Sequence, residues 1–238
     1  MNVLHKVIYR FNGIFLLELV IKMSKKFVPT CAKCGVLKCY HPEVEADYPV
    51  FCPHENYVDV RKASIEEGWK KPENRRINQS CDALNKREKA QTGNYAWCRV
   101  REVIEYSEEM GYEKLGLAFC VGLMDEAKIL TDIFEKNGFE VVSVGCMSGA
   151  PTRDDVGFEK YPNAGKMICN PIMQAEVLNR EKTDLNIMLG LCIGHDILFI
   201  KYSKADVTPL VVKDRILAHN PIGALYTSQG YYQKKLYP

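Results

Sequence analysis

The sequence lacks a surplus of charge of either sign. Its 32 lysines and arginines stand against 30 aspartates and glutamates, a net charge of +2. A nucleic-acid surface usually needs a clear basic excess on one face, so nucleic acid is not the expected partner. There is no low-complexity tract and no repeat of solenoid type, which excludes repeat architectures. There is also no G-x-G-x-x-G fingerprint for a dinucleotide. The apolar run "IFLLELVI" near the amino terminus is far too short to span a bilayer and carries Glu18. No stable membrane insertion is expected. The run is followed by "KMSKKFVPTC", without a small-residue cleavage site. Residues 1–23 are therefore read as an extension ahead of an ordinary start at Met23, one that need not be native; a weak amphipathic anchor is the alternative.

What the chain does have is cysteine, ten in 238 residues. The length suits one sizeable core, or a core with a small satellite. In a short secreted chain so many cysteines would read as disulfides. This chain is neither short nor loop-rich throughout, and in a reducing compartment clustered cysteines are more often metal ligands or reactive thiols. The expected location is the cytoplasm.

The cysteines fall into two sets. Cys31, Cys34, Cys39 and Cys52 follow the pattern C-x2-C-x4-C-x12-C. A two-residue gap lets both thiolates of a tight turn reach one ion. Four thiolates suit either tetrahedral zinc or a [4Fe–4S] cluster, and the spacing does not choose between them. His41 and His54 are alternative zinc ligands in the same stretch. Pro29, Pro42, Pro49 and Pro53 mark residues 24–56 as loop-rich, a cysteine-rich knuckle that needs a staple. Residues 57–111 read as a helical segment, with Val100, Val103, Ile104 and Met110 near helical spacing before a stop at Gly111.

The period changes over residues 112–238. The stretches "KLGLAFC", "FEVVSVGC", "TDLNIMLGLC" and "VTPLVVKD" read as apolar strands. "LMDEAKILTDIFEKNG", "NPIMQAEVLNREK" and "GHDILFIKYSK" read as the helices between them. Strands that are apolar throughout and alternate with helices imply an α/β domain, a Rossmann-like open parallel sheet covered on both faces.

The second cysteine set sits on this pattern. Cys120, Cys146 and Cys192 each end an expected strand, and Cys169 directly precedes an expected helix. Ligands of open parallel sheets bind outside the carboxyl ends of the strands, so the four thiols are expected to face one crevice. Nothing in core packing asks for cysteine there, although any single one would serve as a small apolar filler. A thiol just ahead of a helix holds more thiolate, the form that binds metal and attacks electrophiles. The four are expected to hold a soft metal or iron–sulfur centre, or to act as reactive thiols. Cys81 and Cys98 lie in helical stretches and read as packing.

Other groups gather at the same edge. His195 and Asp196 of "CIGHD" fall in the first turn of a helix, the histidine as acid/base or ligand and the aspartate as a cap. Lys213, Asp214 and Arg215 follow the fourth strand, with His219 and Asn220 further on. Lys213 would neutralise an anionic substrate or cluster, while Arg215 reads as a solvated strand end. Cys120, Cys192, His195 and Lys213 are thus the candidate catalytic residues, acting on an unknown small molecule or with a redox partner. A metal- or redox-sensing module without catalysis is the alternative.

The stretches "CAKCGVLKC", "LGLAFCVGLMDEAKIL", "CNPIMQAEVLN" and "GLCIGHDILFIKYSKADVTPLVVKDRILAHNPIGALY" carry a resemblance over roughly residues 30–226. Together they resemble an uncharacterised family of metal-binding proteins, a domain of unknown function found largely in anaerobic bacteria and archaea. The resemblance implies that Cys31, Cys34 and Cys39 belong to a metal motif. It implies no reaction. The extension before Met23 departs from the family pattern.

Overall fold

A computed structural model describes residues 28–237; the extension read at residues 1–23 lies outside them. The chain divides into two compact units at Arg75 and Arg76.

The first unit holds the knuckle. A tight turn at Cys31–Lys33 closes with the Cys34 N–H on the Cys31 carbonyl at 3.0 Å. The chain then turns at Leu37, whose φ of 51° is left-handed. Two short helices follow, α1 (Pro53–Asn56) and α2 (Val58–Ala63). Pro53 suits the first position of α1, where its missing N–H would have no partner. None of the residues in these helices is buried.

The second unit is an α/β sheet with helices. Helix α3 (Pro72–Thr92) runs into it and is followed by α4 (Arg99–Met110), which stops at Gly111 with φ of 69°. Four parallel strands follow: β1 (Lys114–Phe119), β2 (Glu140–Gly145), β3 (Leu185–Leu189) and β4 (Asp206–Val211). The helices between them are α5 (Met124–Lys136), α6 (Pro171–Glu181) and α7 (Ile193–Tyr202). Two short helices close the chain, α8 (Ile222–Tyr226) and α9 (Gln233–Leu236).

The strands stand in the order β2-β1-β3-β4. All pairs are parallel. Alternate side chains of a strand face opposite sides, and the core divides accordingly. Leu115, Leu117 and Phe119 of β1 join Leu185, Ile187 and Leu189 of β3, packed with residues of α4 and α5. Ala118 and Met188 face the other way, with Ala175 and Leu178 of α6 and Phe199 of α7. Both faces of the central strands are therefore largely apolar, which is why the strands read as mostly apolar runs. Each strand stops one to three residues before the polar or sulfur-bearing group expected to end it.

Two details fix the carboxyl edge. Gly190 has φ of 63° and donates its N–H to the Val211 carbonyl at 2.8 Å, tying the ends of β3 and β4 together. A Cβ at Gly190 would run into the Leu123 side chain, so both the turn and the space call for glycine. Gln174 of α6 is fully buried. Its amide donates to the Phe119 carbonyl at 3.2 Å and the Val144 carbonyl at 2.7 Å, bridging the ends of β1 and β2.

Candidate functional site

The strand order sets the site. From β1 the sheet grows one way to β2 and the other way to β3 and β4. The carboxyl ends of β1 and β3 flank the point where the order reverses, the usual position of a ligand crevice in an open parallel sheet. Cys120 leaves β1 at that point.

Cys120 is half-buried and its sulfur meets the Lys213 ammonium, with Nζ at 2.5 Å. Lys213 follows β4, so it reaches past the end of β3 to a thiol 93 residues away in the chain. The Gly122 N–H also donates to Cys120 Sγ, at 3.4 Å. Burial alone would raise the thiol, but the Lys213 bond and charge, the Gly122 N–H and the neighbouring Cys146 thiol outweigh it. Together they hold Cys120 below the usual cysteine range. The balance favours the thiolate form of Cys120 over that of an ordinary cysteine.

Cys146 is the buried neighbour, 2 % exposed, packed among Ala118, Val144 and Leu178. Burial pushes its thiol up to about 12; the Val121 N–H at 3.5 Å opposes this and Cys169 adds to it. Cys169 Sγ lies 3.5 Å from Cys146 Sγ and 3.8 Å from Met147 Sδ. The backbone brings this pair together, since the Asn170 N–H donates to the Cys146 carbonyl at 2.7 Å. Asn170 also caps α6, accepting the Met173 N–H at 3.0 Å.

Cys192 keeps other company. It stands before α7 with Arg215 as its partner, Nη2 to Sγ 3.6 Å. His195 and Asp196 lie half-buried in the first turn of α7 and donate their N–H groups to the Cys192 carbonyl. Burial, and then the Lys213 charge, hold His195 below its usual range, so it is neutral at pH 7. Burial raises Asp196, against the pull of Lys213. Lys213 thus acts electrostatically on Cys120, His195 and Asp196 together.

Asp214 and His219 are occupied in closing their own turn. The Asp214 carboxylate accepts the N–H groups of Ile216 and Leu217, and the Asp214 N–H donates to His219 Nδ1 at 3.0 Å. Met147 and Gln174 had no signal in the sequence, because neither ends a strand nor stands beside a charge pattern. A cavity of about 490 Å³ lies elsewhere, lined by Cys81, Trp97, Tyr106, Asp206 and Thr208, and holds none of the strand-end thiols.

In the knuckle, Cys31 and Cys39 are exposed, and Cys34 and Cys52 half-buried. The Leu37 N–H points at Cys34 Sγ at 3.5 Å. The histidines there have partners: His41 Nδ1 meets Glu43 at 3.2 Å, and His54 stacks on Tyr48 and accepts from Arg61 at 2.6 Å. Four thiols with an N–H directed at one of them suit a thiophilic metal in donor type. Among the described residues no three His, Cys, Asp or Glu side chains are gathered closely enough to hold one ion.

Residues 52–210 match the model of a family described as a protein of unknown function, DUF1847. The chain belongs to this family. The match takes in Cys120, Cys146, Cys169, Cys192 and His195, while Cys31, Cys34, Cys39 and Lys213 lie outside it. An uncharacterized protein of Methanocaldococcus jannaschii is 48 % identical over 207 residues, 87 % of this chain and 97 % of that protein. No solved structure matches the chain.

Proposed function

We propose that the protein carries out redox or group-transfer chemistry on a small molecule at the carboxyl edge of a Rossmann-like sheet, in the cytoplasm. Cys120 is the attacking thiolate. The observation that carries this reading is the contact between Cys120 Sγ and Lys213 Nζ at the point where the strand order reverses. A structural cysteine has no use for a half-buried cation, whereas a nucleophile at neutral pH has.

The other groups take roles around it. Neutral His195 accepts or returns a proton. Lys213 stabilises negative charge on sulfur or on a bound anion, and Arg215 beside Cys192 extends the positive rim. Cys31, Cys34, Cys39 and Cys52 would hold zinc or a [4Fe–4S] cluster. Such a metal would staple a stretch that buries little and, if it is a cluster, supply an electron. A redox-sensing module without turnover is the second reading, favoured by the burial of Cys146 against Cys169.

The test is limiting alkylation of the native protein at pH 7 with peptide mapping. Preferential modification of Cys120 over the exposed Cys81 and Cys98 supports the reading. Equal or slower modification of Cys120 removes its central residue. Metal and acid-labile sulfide analysis of anaerobically purified protein decides the knuckle. About four irons per chain mean one cubane and about eight mean two, the second then at the strand ends. Zinc alone, without colour, makes the knuckle structural.

A further inference from the structure

Three sulfurs of the carboxyl edge form a connected set, and a lone nucleophile needs only one. Cys120 neighbours Cys146, and Cys146 lies 3.5 Å from Cys169. The loop between the last two is folded back on itself. Thr152 bridges Met167, the Ile168 N–H meets the Pro151 carbonyl at 2.9 Å, and the Asn170 N–H meets the Cys146 carbonyl at 2.7 Å. Cys146 and Cys169 therefore stand at the closed base of a loop, where a covalent bond asks for little backbone movement.

From this geometry we propose that the bond on which Cys120 acts is the S–S bond of a small-molecule disulfide, and that Cys146 and Cys169 take up its oxidising equivalents as an internal disulfide. The proposal rests on the reading of Cys120 as the attacking thiolate. It goes beyond it in naming the substrate class and the resting place of the electrons.

The steps balance. The Cys120 thiolate attacks one sulfur of R–S–S–R, forming a mixed disulfide and releasing RS⁻, which takes a proton from water. Cys146 then attacks Cys120 Sγ, and its thiol proton leaves with the second RS⁻ as RSH. Cys169 attacks Cys146 Sγ in turn and loses its proton to solvent, and the Cys120 thiolate departs as it began. The sum is R–S–S–R plus two protein thiols giving two RSH and a Cys146–Cys169 disulfide. The substrate is reduced by two electrons and the dithiol is oxidised by two.

Thiol chemistry gives the relay its direction. The thiol with the lower pKa is the better leaving group, and of Cys120 and Cys146 it is Cys120 beside Lys213. A bond between Cys120 and Cys146 is therefore broken at Cys120 and passes to Cys169. Cys146, buried where a thiolate is penalised, is better accommodated in a neutral disulfide than as an anion. Exposure matches these roles, since the half-buried Cys120 can be reached from outside while Cys146 cannot.

The test mixes the reduced full-length protein with hydroxyethyl disulfide and maps the products by mass. The expected result is release of two mercaptoethanols per chain and a Cys146–Cys169 bond. Cys169→Ser should stop the relay at a Cys120–Cys146 bond, and Cys146→Ser should leave the mixed disulfide on Cys120. A persistent mixed disulfide on Cys120 in the wild type, or a bond between other cysteines, overturns the relay while leaving Cys120 as the nucleophile. Failure of Cys120 to react at all overturns both.

Discussion

At the scale of the residue, neighbouring cysteines have opposite properties because their surroundings differ. Cys120 has a cation and a backbone N–H directed at its sulfur, while Cys146 is enclosed by Ala118, Val144 and Leu178. Thiol reagents should separate them. In native protein Cys146 is expected to resist alkylation up to strongly alkaline pH and to react only on unfolding, which mapping under native and denaturing conditions checks. Three strand-end cysteines were legible in the sequence because each follows an unbroken apolar run. Their difference in character was not. Lys213 is 93 residues from Cys120, and no local pattern shows that the strand order brings them together.

At the scale of the element, the carboxyl edge depends on a buried amide and on a turn. Gln174 joins the ends of β1 and β2 through two donated hydrogen bonds, and its Oε1 has no partner among the described residues. Gln174→Leu removes one donor from each of the buried Phe119 and Val144 carbonyls, of which Phe119 keeps the Cys146 N–H. The expected loss is about 1–3 kcal/mol of stability, read from urea unfolding. Because those strands lead directly into Cys120 and Cys146, the same variant should lower the selectivity of Cys120 alkylation. Gly190→Ala meets both a left-handed φ and the Leu123 side chain, so it should destabilise by more than about 1 kcal/mol. The alternation of strands and helices was readable, because the central strands are covered on both faces and the strands are mostly apolar. Gln174 was hidden because one polar residue on a helix reads as solvent-facing until its neighbours are known.

At the scale of the whole molecule, stability should depend on pH through the same thiols. Cys146 has a raised pKa in the folded protein, so the fold favours its protonated form. Its contribution is fully present below the unfolded value of about 8.5 and is lost as pH rises from there toward the folded value. Unfolding free energy should therefore fall as pH rises above about 8.5, and more shallowly in Cys146→Ala. Tyr106, also raised to about 12 by burial, adds a second decline that begins only near the ordinary tyrosine value of about 10. If the knuckle carries a metal, chelation should unfold residues 28–75 while the sheet unit keeps its circular dichroism. An exposed turn with no buried residues has little else to hold it.

The central claim is that Lys213 lowers the pKa of Cys120 and so raises its thiolate fraction at neutral pH, and one measurement tests it most directly. The rate of Cys120 alkylation is followed against pH in the wild type and in Lys213→Met. The account predicts that the wild-type rate reaches its half-maximum below the ordinary cysteine value of about 8.5, and that the variant's midpoint moves upward, with a slower reaction at pH 7. Superimposable profiles for the two proteins would contradict it.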